Sequence, residues 1–246
     1  MITLVGTVHE DLAGPERLKR VLTHYHPQTV AVEISSDTRL EKDMLGRNRV
    51  LEQTYLPRIV SVYSGVDPVM GQVIQEVVEG LIRIRGYELK EARSYAKRTG
   101  SSVVYLGDPV KRKARHSIDV SQFESFMKQL LAVGEQLAAD EDIVKAFKDI
   151  PSAQLREQMT VGMKQTLDNF YQSRGINPDE DEELMMEDHL WAEKLGKINP
   201  NLSVMPVVGC LHTRNYRGKK YSTLYTLLEG LNPSVILLPE ADGLTA

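Results

Sequence analysis

Five short runs of nearly continuous apolar residues set what this chain can fold into: Ile2–Val8, Thr29–Ile34, Ser102–Leu106, Val204–Val208 and Ser234–Leu238. A strand with one wet face alternates polar and apolar residues. These runs do not, so both faces of each strand must be covered. Helical patterns lie between them. Pro15–His24 places a proline just inside a helix start, where its missing N–H costs nothing. Tyr87–Arg98 is amphipathic and stops before Gly100, a residue suited to a left-handed helix cap. Tyr221–Leu231 runs up to Gly230 and Pro233. The order is β-α-β, a long helical stretch, β, a second long helical stretch, then β-α-β. Short crossovers at both ends imply parallel strands. The expected class is α/β: a mostly parallel sheet with flanking helices and long helical insertions.

The insertions cover about residues 36–85 and 119–199. The first is broken at Gly65-Val66-Asp67-Pro68. The second carries Phe123, Phe126, Leu130, Val133 and Leu137, a stripe expected to face the core of a helical hairpin. A lid, or an arm for a homo-oligomer, is the alternative use of these helices. With 246 residues, 41% of them hydrophobic, the chain suits one α/β domain over 1–246 with a sizeable core. A net charge of −4 argues against a dedicated nucleic-acid partner. One cysteine, Cys210, excludes an internal disulfide framework and fits a reducing, cytoplasmic setting. The chain starts directly on a strand pattern, with no basic-then-apolar signal segment. No apolar run reaches the ~18–20 residues that a membrane span needs, so a soluble protein is expected.

Two of the five runs close on the same pattern. Gly6-Thr7-Val8-His9 ends the first and Gly209-Cys210-Leu211-His212 ends the fourth. Each histidine sits where a strand hands over to the next segment, the rim at which open α/β sheets bind ligands. Two imidazoles placed alike could converge on one ligand, proton or metal. Reading the residue at or past each run gives His9, Glu33, Asp108, His212 and Glu240. Glu33 follows Val30-Ala31-Val32 and precedes Ile34, so it is expected to be buried, and a buried carboxylate needs a partner. Arg39, six residues on, is a candidate counter-ion able to grip it with two parallel hydrogen bonds. Asp108, in Gly107-Asp108-Pro109, also fits ordinary turn chemistry, and Glu240 reads as a solvated tail residue. His24 and His26 read as exposed helix-end residues, and His116 ends the basic run Lys111-Arg112-Lys113-Ala114-Arg115. His189 lies in a helix with Trp191. Cys210 reads as a small buried thiol. No Gly-x-Ser-x-Gly elbow, dinucleotide fingerprint or Walker sequence occurs.

Four stretches together resemble the TraB/PrgY family, the pheromone-shutdown proteins related to the TIKI metalloproteases and the GumN proteins. They are Leu4-Val5-Gly6-Thr7-Val8-His9; Val30-Ala31-Val32-Glu33 with Arg39; Gly86-Tyr87-Glu88 with Ala92, Ala96 and Gly100, running into Val103-Val104-Tyr105-Leu106-Gly107-Asp108; and Val207-Val208-Gly209-Cys210-Leu211-His212. The resemblance implies a fold similar to erythromycin esterase and ChaN, and maps the family's histidines, glutamate and arginine onto His9, His212, Glu33 and Arg39. Glu88 matches a glutamate of the third motif. The implied activity is metal-dependent hydrolysis of peptides. Erythromycin-esterase-like relatives imply a metal-free hydrolase using His and Glu, and ChaN-like relatives a haem-binding or sequestering protein. One departure stands out: relatives carry an arginine before the tryptophan-bearing helix, and Met186-Glu187-Asp188-His189-Leu190-Trp191 lacks it.

The expected function is therefore that of a hydrolase whose divalent metal (manganese, cobalt or zinc) is held by His9, His212 and Glu33. Glu88 would be the general base, helped by Arg39 and Glu33, and the substrate a peptide or small molecule. The alternatives are a non-catalytic peptide- or haem-binding protein and a metal-free esterase-like hydrolase.

Overall fold

The computed structural model of the chain describes residues 1–34, 38–107, 109–172, 182–216 and 222–244. Side chains are described for these except at 38–45, 48, 109–120, 122, 170, 172 and 182–186. The apolar runs form five strands: β1 (Thr3–Thr7), β2 (Thr29–Val32), β3 (Ser102–Tyr105), β4 (Val204–Gly209) and β5 (Ser234–Leu237). They make one sheet in the order β3-β2-β4-β1-β5, and every pairing is parallel. The three central strands are buried along almost their whole length and the two edges are not. That gradient is why the central runs read as unbroken apolar sequence.

Helix α1 (Gly14–Tyr25) joins β1 to β2. The passage to β3 holds α2 (Thr38–Val66), α3 (Pro68–Ile84) and α4 (Tyr87–Thr99). The passage to β4 holds α5 (Pro109–Ala139), α6 (Glu141–Lys148), α7 (Ser152–Gln172) and α8 (Glu182–Gly196). The single turn α9 (Leu224–Leu227) precedes β5. Right-handed crossovers put α1 and α4 on one face of the sheet and α8 and α9 on the other. The packing agrees, with α1 against α4 and α8 against α9. On the second face Leu4, Ala31, Leu106 and Val208 close a core with Trp191, Leu195, Leu224 and Leu228.

The chain divides into two compact units. The sheet unit comprises residues 1–36, 84–109 and 170–246; the helical unit comprises 37–83 and 110–169. The helical unit has its own core. Leu56, Ile59, Tyr63, Val66 and Met70 recur at helical spacing and pack with Val78, Phe123, Met127 and Leu131. The break expected at Gly65–Pro68 is a helix junction, where Asp67 Oδ1 accepts the Val69 N–H at 2.8 Å and Pro68 opens α3.

Two expectations need correction. The stripe on α5 holds in part: Phe123 is buried and Leu130 and Leu137 pack on the core as expected, but Met127 and Leu131 are the further buried hydrophobic positions among the described residues, while Phe126 and Val133 are 39% and 48% exposed. The helix expected over Tyr221–Leu231 is only α9 followed by a 3-10 turn over Glu229–Leu231. Thr223 accepts the Thr226 N–H and caps that short turn, and Asn232, left-handed at φ 49°, closes the second.

The topology fixes where the strand-end residues meet. β1 and β4 are hydrogen-bonded neighbours, with Thr7 opposite Gly209. β2 and β4 are also neighbours, and their connections lead away from each other, β2 outward to β3 and β4 toward β5. Connections that diverge from adjacent strands open a crevice at their carboxyl ends, the usual ligand position in such sheets. Glu33 and the second Gly-x-x-His motif end there, and the first motif ends on the next strand, β1.

The two motif glycines are not equivalent. A Cβ on Gly6 would lie 2.8 Å from Leu237 Cδ2 and 3.1 Å from both Cys210 Cα and Thr213 Oγ1. On Gly209 it would meet nothing closer than 3.5 Å, and the backbone there (φ −53°, ψ 140°) suits any residue. We expect Gly6→Ala to destabilise by ~1–3 kcal/mol through overpacking. Gly209→Ala should be neutral or stabilising by up to ~1 kcal/mol. Urea midpoints of the two variants check this; equal losses would refute the asymmetry.

Candidate functional site

Each strand-end histidine has one ring nitrogen held by a buried carboxylate. His9 lies in the turn just past β1, with more than half of its side chain (55%) exposed. Its Nδ1 is 2.7 Å from Glu88 Oε1. Glu88 is buried in the first turn of α4, where a helix N-terminus favours negative charge. The Thr7 hydroxyl lies 3.3 Å from Glu88 Oε1 and 3.2 Å from the Val208 carbonyl, so its one proton is shared between them.

His212 lies in the 3-10 turn Cys210–Thr213 that follows β4. Its Nδ1 is 2.6 Å from Asp188 Oδ1, and Asp188 Oδ2 accepts the Leu224 N–H at 2.9 Å. Both residues of this pair are buried. Trp191, one helical turn beyond Asp188, packs its ring 4.8 Å from the imidazole, centroid to centroid. The indole shields the pair from water and fixes the plane of the ring.

Glu33, the first residue past β2, is buried, and its Oε2 accepts the Gly209 N–H at 3.0 Å. The position a Gly209 Cβ would take is 3.7 Å from Glu33 Oε2 and 3.9 Å from His212 Nε2, so the carboxylate and the second nitrogen of His212 flank one point. The charge of Glu33 also acts on both other pairs, raising the pKa of His9 and of Asp188. The rim of β1, β4 and β2 thus gathers His9, Glu88, Glu33, His212 and Asp188 into one electrostatic cluster.

The charge states follow from surroundings. The Glu88 carboxylate, outweighing the cost of burial and joined by Glu33 and Glu10, pushes His9 up to about 10. Solvent reaching the exposed ring screens part of that attraction, but the direction leaves an imidazolium at neutral pH. Burial pushes Asp188 up, while the His212 ring and the Leu224 amide pull it back. The Asp188 carboxyl is thus held above its ordinary value while its Oδ1 stays within hydrogen-bond distance of His212 Nδ1 in a dry setting. Burial also raises the Cys210 thiol, which keeps it protonated and unsuited to nucleophilic attack.

Among the described residues, no group of three or more His, Cys, Asp or Glu is gathered so as to hold a metal ion. The expected set His9, His212 and Glu33 shares a rim without forming such a group. These residues as placed do not form a site for the ion. Arg39 and Asp108 lie outside the described side chains, as does His116. His24, His26 and His189 are exposed, and Glu240 is an exposed residue that accepts the Leu237 N–H. Asp188 is the residue the sequence reading passed over. It sits three positions before Trp191, a spacing that puts both on one helix face, and this was the available signal. Asp11, Tyr87 and Tyr171, which hold the His9 turn, carry no comparable mark.

No family model matches the chain, and neither the curated proteins nor the solved structures contain a match to it. None of the described helices is long and apolar enough to cross a membrane.

A histidine whose folded pKa exceeds its unfolded value stabilises fully below about 6.5, and that contribution is lost as pH rises through the folded value. Stability linked to His9 should therefore fall between about pH 6.5 and 10. In Glu88→Gln that fall should be largely abolished, and the His9 ring resonance should titrate much closer to the ordinary value. Parallel melting curves and histidine NMR titrations check both; an unshifted titration in the wild type would refute the pairing.

Proposed function

We propose that this chain is a hydrolase of peptide or ester bonds whose acid–base groups are His9 and His212. The observation that carries this is that each strand-end imidazole has its Nδ1 held by a buried carboxylate, Glu88 for one and Asp188 for the other. A carboxylate on Nδ1 fixes the tautomer and directs the chemistry to Nε2, the logic by which histidine serves as general base in acyl transfer.

The two pairs are set for different work. In the buried pair, Nδ1–H of His212 is donated to Asp188, so Nε2 can take a proton from water. The resulting hydroxide attacks the substrate carbonyl, and the same proton then passes from Nε2–H to the leaving group. His9, held as an imidazolium by Glu88, faces the charge that develops on the carbonyl oxygen and stabilises it. In this reading Glu88 keeps His9 charged rather than acting as the base. Glu33 orients the attacking water beside His212, and Arg39 is its counter-ion on sequence grounds.

This reading keeps the resemblance to the TraB/PrgY family as a proposal and takes the hydrolase without metal as the version the placed residues support. A cytoplasmic site of action is proposed with it.

Turnover of a mixed panel of peptides and aryl esters tests it. We expect His212→Ala and Asp188→Asn each to lower kcat/KM by about 10²–10⁴-fold. His9→Ala should lower it by about 10²–10³-fold, as loss of an oxyanion partner does. Activity should survive a chelator. Strict dependence on manganese or cobalt would overturn the metal-free form, and retention of peptide or haem without turnover would replace the hydrolase by a binding protein.

A further inference from the structure

Tyr171, at the end of α7, touches the segments that carry both histidines. Its hydroxyl accepts the Val8 N–H at 3.2 Å, one residue before His9, and donates to Asp11 Oδ2 at 3.0 Å, two residues after it. Its carbonyl accepts from Arg214 Nη2 at 3.3 Å. Arg214 follows immediately on the 3-10 turn that holds His212. The ring is buried, at 4% exposure. A phenylalanine would fill the same space without desolvating an oxygen, so the hydroxyl has to be explained by what it bonds.

The partner at the far side is itself held. Asp11 is wholly buried; its carboxylate also accepts from the Ala13 N–H at 2.9 Å and from Arg17 Nη1 at 2.9 Å. Arg17 in turn grips Asp242 with two hydrogen bonds. The phenol of Tyr171 therefore hangs from a fixed anchor, not from a mobile carboxylate.

We propose that Tyr171 is a positioning residue that ties the two histidine-bearing turns into one frame. Its hydroxyl sets the height of the His9 turn over β1, and its carbonyl, through Arg214, sets the start of the segment leaving the His212 turn. The kinetic part of the test rests on the acid–base reading of the two histidines; the spectroscopic part does not.

The control is Tyr95→Phe. The Tyr95 hydroxyl is also buried and bonds the Pro27 carbonyl at 3.4 Å, but just before β2, at the opposite rim of the sheet. Tyr171→Phe and Tyr95→Phe each lose one buried hydroxyl and should melt within a few degrees of each other. In histidine-labelled protein, Tyr171→Phe should shift the ring resonances of both His9 and His212 and leave His24 and His26 unmoved. Tyr95→Phe should move neither His9 nor His212. Arg214→Ala cuts the other arm from a partly exposed position; because Arg214 also bonds Cys210 in the His212 turn, its diagnostic readout is the distant ring, and it should shift His9 as well as His212 even if Tyr171→Phe does not fold. On a hydrolysed substrate, Tyr171→Phe should lower kcat about 10–100-fold with little change in KM, as displaced catalytic groups do. Unmoved site resonances, or movement of His9 alone in Tyr171→Phe and of His212 alone in Arg214→Ala, would overturn the shared frame. If the wild type hydrolyses nothing on the panel, the hydrolase reading fails, and the resonances alone still decide the role of Tyr171.

Discussion

A carboxylate taken out of water must be given donors or lose its charge, and three of them crowd one rim of this sheet. Glu33, Glu88 and Asp188 are all buried. Each is answered locally. Glu33 takes the Gly209 amide, Asp188 takes the Leu224 amide and an imidazole, and Glu88 takes an imidazole and a share of the Thr7 hydroxyl. The geometry of the rim follows from these obligations. β4 must end where its last amide can reach Glu33, and α9 must begin where its first amide can reach Asp188. Removing either imidazole would leave a buried charge with fewer donors, which is why the histidines are structural partners as well as candidate catalysts.

The same cluster separates two histidines that look alike in sequence. His9 is exposed and beside a carboxylate that keeps it charged; His212 is buried, backed by Trp191 and paired with an aspartate that burial raises. The two rings thus differ in exposure and in the state of the carboxylate each one meets. The chain leaves β1 by a turn closed by the Asp11 N–H on the Val8 carbonyl and β4 by a 3-10 turn; the first leaves its ring open to solvent and the second buries it. Gly6 favours the 3-10 turn, since Cys210 and Thr213 of that turn lie 3.1 Å from where a Cβ would stand, closer than side chains ordinarily pack.

Rigidity at the rim is supplied from the α1 side. Tyr87 donates to the Val8 carbonyl at 3.3 Å, and the Asp11 N–H donates to the same oxygen at 3.0 Å. Gly14 admits the Tyr87 ring, whose nearest atom would sit 2.6 Å from a Cβ there. Burial holds both phenols well above their ordinary pKa, so they stay neutral donors. The turn carrying His9 is thus exposed at its side chain and pinned at its backbone. A group that must meet a ligand in a fixed orientation needs that combination.

The sequence by itself determined the class of fold and the strand ends. Continuous apolar runs pointed to strands covered by helices, which holds for the three central strands and not for the edges β3 and β5, and the helical spacing between them pointed to crossovers, so a parallel sheet with Glu33, His9 and His212 at its rim was legible. Local patterns could also mark the junction at Asp67-Pro68. What the sequence could not supply were partners distant along the chain. Glu88 on His9 spans 79 positions and Tyr171 on Val8 spans 163. Asp188 on His212 is nearer, at 24, but depends on which face α8 turns to the sheet. Strand order decided these contacts. By inserting β4 between β1 and β2, the tertiary fold brought the two histidine motifs side by side and made neighbours of carboxylates whose charges shift both pairs. Spacing along a chain records local geometry; the desolvation and pairing that set a proton's position exist only once the chain is folded.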